Sequence, residues 1–327
     1  MSPSPNTTPL WKRMLLRRLK FLAWLAGLLA IVLGGSYLFA PQWLMQANLK
    51  REAMAAHLET HAVQAGDTRW AYYEGGEGPT IVLLHGFAAD KSEWLKVAKE
   101  LAPHFHLIIP DLPGWGDSSR VAGASYTIDA QAARLDAFVQ ALRLSRFILV
   151  GHATGGAIAG VYASDHPDRV AGLALLDSFG LKNAGNAFTR EAEAGKNPFV
   201  FDDRAGLQRA MALAFKQPPE LAERFADVRV ARNRRDRAFI ESRFDTLRQP
   251  SQYLSLQPRL GRLTMPVLGL WCHDDKIMDI SALDSLRQGL TAASAISTSV
   301  INSCNHMPML EKPEETARVL TSFALSH

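Results

Sequence analysis

The chain has 327 residues, 47% of them apolar and 21% charged, which suits one large core with an appended element and excludes wholesale disorder. Its 36 Lys and Arg against 32 Asp and Glu give a formal charge of +4, but Lys12, Arg13, Arg17, Arg18 and Lys20 are the only charges before residue 50. Without those five the balance is 31 against 32, so the charge belongs to one end and does not describe a nucleic-acid-binding surface.

The first ten residues are rich in Pro, Ser and Thr and are expected to be disordered, within a cytoplasmic tail over 1–20. Residues 21–40 read FLAWLAGLLAIVLGGSYLFA without a charge, and as a helix they span roughly 30 Å, the hydrocarbon thickness of a bilayer. A cleaved signal peptide is the competing reading, yet the apolar run is too long and Pro41 would hinder cleavage. The basic flank predicts a single-pass protein with its N-terminus cytoplasmic and the rest extracytoplasmic, periplasmic in a Gram-negative cell. Trp24, Tyr37 and Trp43 are candidate interfacial aromatics, and Gly27 with Ala23 and Ala30 would let two anchor helices approach as a homodimer. Leu44, Ala47, Met54 and Leu58 fall at helical spacing, so a juxtamembrane helix is expected over 41–60.

Beyond residue 61 strands and helices alternate. Two strand-like stretches flank Gly66-Asp67, and short apolar runs follow at 81–84, 107–109, 147–150, 171–176, 267–271 and 297–301. Helical segments at 91–101, 128–142, 158–166, 282–290 and 313–325 separate them. This is the pattern of a doubly wound, mostly parallel α/β sheet, whose chemistry sits at the carboxyl ends of its strands. The alternation breaks over 181–257, read as a helical cap between core segments 61–180 and 258–327. Eight arginines interleaved with acids lie within 224–248. They describe a solvated, ion-paired helix face, or else a basic surface resting on anionic lipid head groups.

Residues 147–156 read FILVGHATGG, a strand, a tight turn and a helix with the spacing Gly151-x-Ala153-x-Gly155. That is a nucleophile elbow in which alanine occupies the apex. His85-Gly86-Phe87 follows an earlier strand, and Asp111-Leu112-Pro113-Gly114-Trp115-Gly116-Asp117-Ser118 follows the next. Trp271-Cys272-His273-Asp274-Asp275 ends a later strand, and Asn305-His306-Met307-Pro308 closes the set. In this order the motifs resemble the α/β-hydrolase family along residues 61–327, with Cys272 and Asn305 where glycine is common. The membrane anchor, HGF loop and helical cap together resemble membrane-bound monoacylglycerol lipases and bacterial phospholipases A.

The resemblance implies hydrolysis of a lipid or fatty-acyl ester at a membrane, by a Ser-His-Asp mechanism without a cofactor. His306 is the implied base, and Asp275 the implied acid with Asp274 as the alternative. The backbone N–H groups of Phe87 and Thr154 are the implied oxyanion donors, and His85, Gly86, His152 and Trp115 the residues around the substrate. His273 and the two aspartates lack ligand-spaced partners, so no metal is expected. Ala153 cannot attack a carbonyl, so the chain is expected to be inactive or nearly so. Either it is an engineered, substrate-trapping copy of an active enzyme, or a natural member that lost hydrolysis; the retained histidine, acids and oxyanion loop favour a disabled enzyme. A non-catalytic lipid- or signal-binding protein is the alternative from another class, and cofactor-independent His–Asp chemistry a third. Cys272 and Cys304, the only cysteines, flank the acid and histidine loops and are either a disulfide or two free thiols.

Overall fold

The computed structural model of the chain describes residues 9–327; the Pro/Ser/Thr-rich start up to Thr8 lies outside them. Helix α1 (Leu10–Phe39) is followed at once by α2 (Pro41–Ala55). Ala40 leaves helical geometry at φ −145°, and Pro41 begins the new helix at the one position where its missing N–H costs nothing. α1 is 30 residues long, apolar enough to cross a membrane, and none of it is buried in the protein. It starts well before the expected residue 21, because the basic residues from Lys12 to Lys20 are good helix formers that extend the apolar segment.

Two antiparallel strands, β1 (Leu58–Ala65) and β2 (Thr68–Gly75), form the first hairpin. The expected helix over 41–60 therefore stops early. His57 adopts a positive φ of 54°, and Leu58 spends its apolar side chain in the sheet opposite Gly75. The remaining strands are β3 (Thr80–Leu84), β4 (His106–Pro110), β5 (Phe147–His152), β6 (Val170–Leu176), β7 (Val267–Cys272) and β8 (Ile296–Ile301). They form one sheet in the order β1-β2-β4-β3-β5-β6-β7-β8, parallel from β4 through β8.

Helices α3 (Leu95–Leu101), α4 (Ile128–Ala141) and α5 (Thr154–Asp165) cross between these strands. The helical insertion between β6 and β7 comprises α6 (Ala187–Glu193), α7 (Arg204–Ala214), α8 (Glu223–Leu247) and α9 (Pro250–Tyr253). α10 (Ala282–Gly289), α11 (Pro308–Glu311) and α12 (Pro313–Leu325) complete the chain. α5 begins four residues before the expected Ile158, since the chain turns from β5 straight into the helix and its two glycines are needed for contact. One face of the sheet packs Phe138, Ile158, Tyr162 and Leu286 from α4, α5 and α10; the other packs Val97, Leu101, Leu320 and Phe323 from α3 and α12. The central strands are thus buried on both faces, and their carboxyl ends open toward the insertion.

Candidate active site

The turn from β5 into α5 places Ala153 at φ 48° and ψ −117°, a conformation that costs a non-glycine residue about 1–3 kcal/mol. Neighbouring backbone holds it there. Ala153 N–H donates to Leu176 O at 3.0 Å, and its carbonyl accepts from Phe179 N at 3.0 Å. A Cβ on Gly155 would stand 2.4 Å from His85 O, and one on Gly86 would stand 2.9 Å from His152 Nδ1. These two glycines are what allow the loops after β3 and β5 to touch.

Phe87 directly follows Gly86, where an added Cβ would stand 3.2 Å from the Ala153 Cβ. Thr154 is the first helical residue, so its N–H has no partner within the helix. Among the described residues neither amide donates to another protein group. Both point to an unspent pair of donors beside Ala153, with the helix dipole adding to their favour for negative charge.

His306 follows β8, and its Nδ1 lies 2.9 Å from Asp275 Oδ2. Asp275 is fixed in turn: its Oδ1 accepts from Ile277 N at 2.7 Å and Met278 N at 3.0 Å. The His306 side chain is 8% exposed and that of Asp275 0%. Asp274, the alternative acid, points elsewhere. It pairs with Lys216 and His273, which hold its carboxyl below the usual range. The structure thus joins His306 to Asp275, ties the His306 carbonyl to His152 beside Ala153, sets Gly86 against Ala153 and leaves Asp274 out.

His85 and His152 are buried, and their ring nitrogens bond the surrounding loops. His85 Nδ1 bonds Gly86 O at 2.8 Å, and its Nε2 accepts from Leu112 N at 2.9 Å. His152 Nε2 bonds the carbonyl of His306 at 2.8 Å. Glu93 stands behind both loops: its Oε1 accepts Gly86 N–H at 3.2 Å and lies 3.3 Å from His152 Nδ1. Trp115 does face the cleft region, packing edge-on to Phe87 at 5.3 Å and Phe239 at 5.0 Å. Phe199 and Phe244 of the insertion pack at a tilt against the same Phe87 ring, so the apolar wall beside Gly86-Phe87 is built from both the insertion and the core. The Trp115 loop is braced by buried Lys91, whose Nζ bonds Asp111 at 2.6 Å and Asp117 at 2.7 Å.

Three further residues hold the histidine loop. Asn305 Nδ2 donates to Leu213 O and its Oδ1 accepts from Lys276 N, while His306 N donates to Ala214 O. The end of α7 is therefore stitched to the base. Cys272 and Cys304 form a disulfide between the loops after β7 and β8, with Cα atoms 4.9 Å apart, which resolves the alternative left open by the sequence.

Asp177, at the end of β6, was not singled out from sequence. It is fully buried at a positive φ of 43°, and its Oδ1 accepts from Cys272 N at 2.8 Å while its Oδ2 has no hydrogen-bond partner among the described residues. Burial, and then the charge of Asp275, push its carboxyl well above the ordinary range. The only signal was an aspartate ending an apolar strand, which many strands share.

A family model described as alpha/beta hydrolase fold matches residues 79–313. The chain is 28% identical over 309 residues to the monoacylglycerol lipase ABHD6 of Bos taurus, covering 89% of each. It is 29% identical to Lipase 1 of Psychrobacter immobilis, covering 82% of this chain and 84% of that one. Among solved structures it resembles a membrane phospholipase A, described as a bacterial virulence factor, with a TM-score of 0.82 and 36% identity over 95% of this chain and 97% of that one.

Proposed function

The chain belongs to the α/β hydrolase fold family, and from that footing we propose that it is the nucleophile-deficient form of a membrane-anchored hydrolase of lipid acyl esters. The observation that carries the reading is the His306–Asp275 contact beside the Ala153 apex and two unspent backbone amides. Every part of an acyl-transfer site is present except the attacking oxygen.

With a hydroxyl at the apex, His306 would take its proton as it attacked the ester carbonyl and return that proton to the leaving alcohol. Asp275 would hold the Nδ1–H tautomer and stabilise the imidazolium. The Phe87 and Thr154 amides would receive the oxyanion. A water attacking the resulting acyl-enzyme would release the fatty acid. The aromatic wall of Phe87, Trp115, Phe199, Phe239 and Phe244 suits an acyl chain. Monoacylglycerols and phospholipids are the substrate classes favoured, given what the similar proteins are named for.

α1 would cross the membrane with its basic start in the cytoplasm, and the disulfide suits an oxidising compartment on the far side. Hydrolysis of monoacylglycerol and phospholipid by the parent and by Ala153→Ser, both purified in detergent, tests the proposal. A rise of about 10³-fold or more in the variant supports it. Inactivity of both, with a lipid recovered from the cleft, would favour the rival reading as a lipid-binding protein.

A further inference from the structure

The arginines of α8 divide into two groups. Along the middle and far end each has a partner: Arg232 with Asp90, Arg234 and Arg237 with Asp202, Arg235 with Asp236, Arg248 with Asp245. Arg243 lies over the rings of Tyr126 and Phe239. Arg224 and Arg229, nearest the helix start, make no ion pair within 4.0 Å among the described residues, although Asp227 and Asp90 act on them from farther away. The acids around them are spent elsewhere. Asp227 takes two hydrogen bonds from Arg204, which also pairs with Glu223, and Asp90 is held by Ser92 and Arg232.

The start of α8 is also where the cap meets the anchor. Phe225 packs edge-on against Tyr37 of α1 at 5.7 Å. Phe39 and Trp43, at the bend between α1 and α2, are 87% and 68% exposed, as aromatics at a membrane surface would be. Arg229 stands one turn beyond Phe225, on the same side of α8, and the next turn carries Arg232 to Asp90 in the loop after Phe87. Arg229 is accessible yet crowded: desolvation by the surrounding protein pulls its pKa below the ordinary value.

We propose that Arg224 and Arg229 form a docking site for the phosphate groups of membrane lipids, seating the cap on the bilayer at the edge nearest the oxyanion loop. The inference rests on the reading of α1 as a membrane-spanning anchor, because that reading brings this end of α8 to the head groups. Planar guanidinium groups not engaged in a close ion pair match phosphate oxygens in charge and geometry. The paired arginines farther along α8 have no such vacancy, so only this end of the helix is drawn to the surface.

The test uses the full chain with Ala153 in place, so no turnover enters the readout and the result stands apart from whether Ala153→Ser hydrolyses lipid. A fluorophore on Ala231→Cys is quenched by nitroxide carried on a small fraction of lipid head groups. In phosphatidylglycerol vesicles the double variant Arg224→Gln/Arg229→Gln is expected to lower quenching by about twofold or more. Arg224→Lys/Arg229→Lys should retain most of it, which separates lost charge from lost folding. The parent in bilayers of a diglycosyl diacylglycerol, which lacks phosphate, should fall to the level of the Gln variant. Equal quenching in parent and Gln variant, or undiminished quenching in the glycolipid, overturns the proposal. So does loss of a cross-linked dimer in the Gln variant with quenching unchanged, which would assign the two arginines to a second copy of the chain.

Discussion

The loops behind the site and the helix in front of it are held by different physics. Behind it, a disulfide, buried Asp177 and the Asn305 amide fix the acid and histidine loops with groups that are almost wholly removed from water. In front, α8 buries Val230, Ile240 and Phe244, and on its outer side it carries arginine–carboxylate pairs whose side chains are a third or more exposed. Buried hydrogen bonds are costly to break, whereas exposed ion pairs are screened and weak. The difference teaches that the His306–Asp275 geometry is fixed by buried groups, whereas the outer face of α8 depends on pairs that water and salt can weaken.

The contrast is sharpest at His306. In an Ala153→Ser background, His306→Ala should lower kcat by about 10⁴-fold or more, because nothing else at the site can take the hydroxyl proton. Steady-state hydrolysis of a soluble short-chain ester reads this, and near-parental turnover would mean another base acts. Next in size is the disulfide. Its partners are 32 residues apart, so Cys272→Ser/Cys304→Ser should cost about 3–4 kcal/mol in urea unfolding.

Asp177 gives a smaller effect that depends on pH. Its folded pKa is raised, so its favourable contribution is complete below the unfolded value of about 3.9 and is lost as pH climbs toward the folded pKa. Asp177→Asn keeps an acceptor for Cys272 N–H but does not titrate. It should melt near the parent at the acid end and progressively above it as pH rises; parallel melting curves would contradict a raised Asp177 pKa. The smallest effect belongs to the cap. Arg248→Ala removes an exposed i,i+3 pair with Asp245 and should change stability by no more than about 0.5–1 kcal/mol.

Much of the fold was legible because apolar runs of strand length end in the residues that carry chemistry: Gly86 after β3, the elbow after β5, the acid after β7. The resemblance to the family's acid loop favoured Asp275 and kept Asp274 as the alternative, and it is Asp275 that lies within hydrogen-bond distance of His306. Burial was harder to see. Glu93 lies in a stretch that reads as an ordinary amphipathic helix start, and nothing local shows that its carboxyl turns inward beneath Gly86. Leu58 continues a helical spacing as well as it begins a strand, and only pairing with β2 decides between them. The two arginine groups of α8 look alike in sequence, since partners such as Asp202 and Asp90 come from distant segments.

The central claim is that this site lacks one oxygen and nothing else. Reaction with a fluorophosphonate tests it most directly, because covalent capture needs a nucleophile, a base and an oxyanion hole together. Intact-mass and peptide analysis should find one adduct per chain in Ala153→Ser, located at the substituted residue, and none in the parent. An Ala153→Ser chain that folds as the parent does yet takes up no label would contradict the claim, and would mean that the elbow, His306 and the two amides do not form a working site.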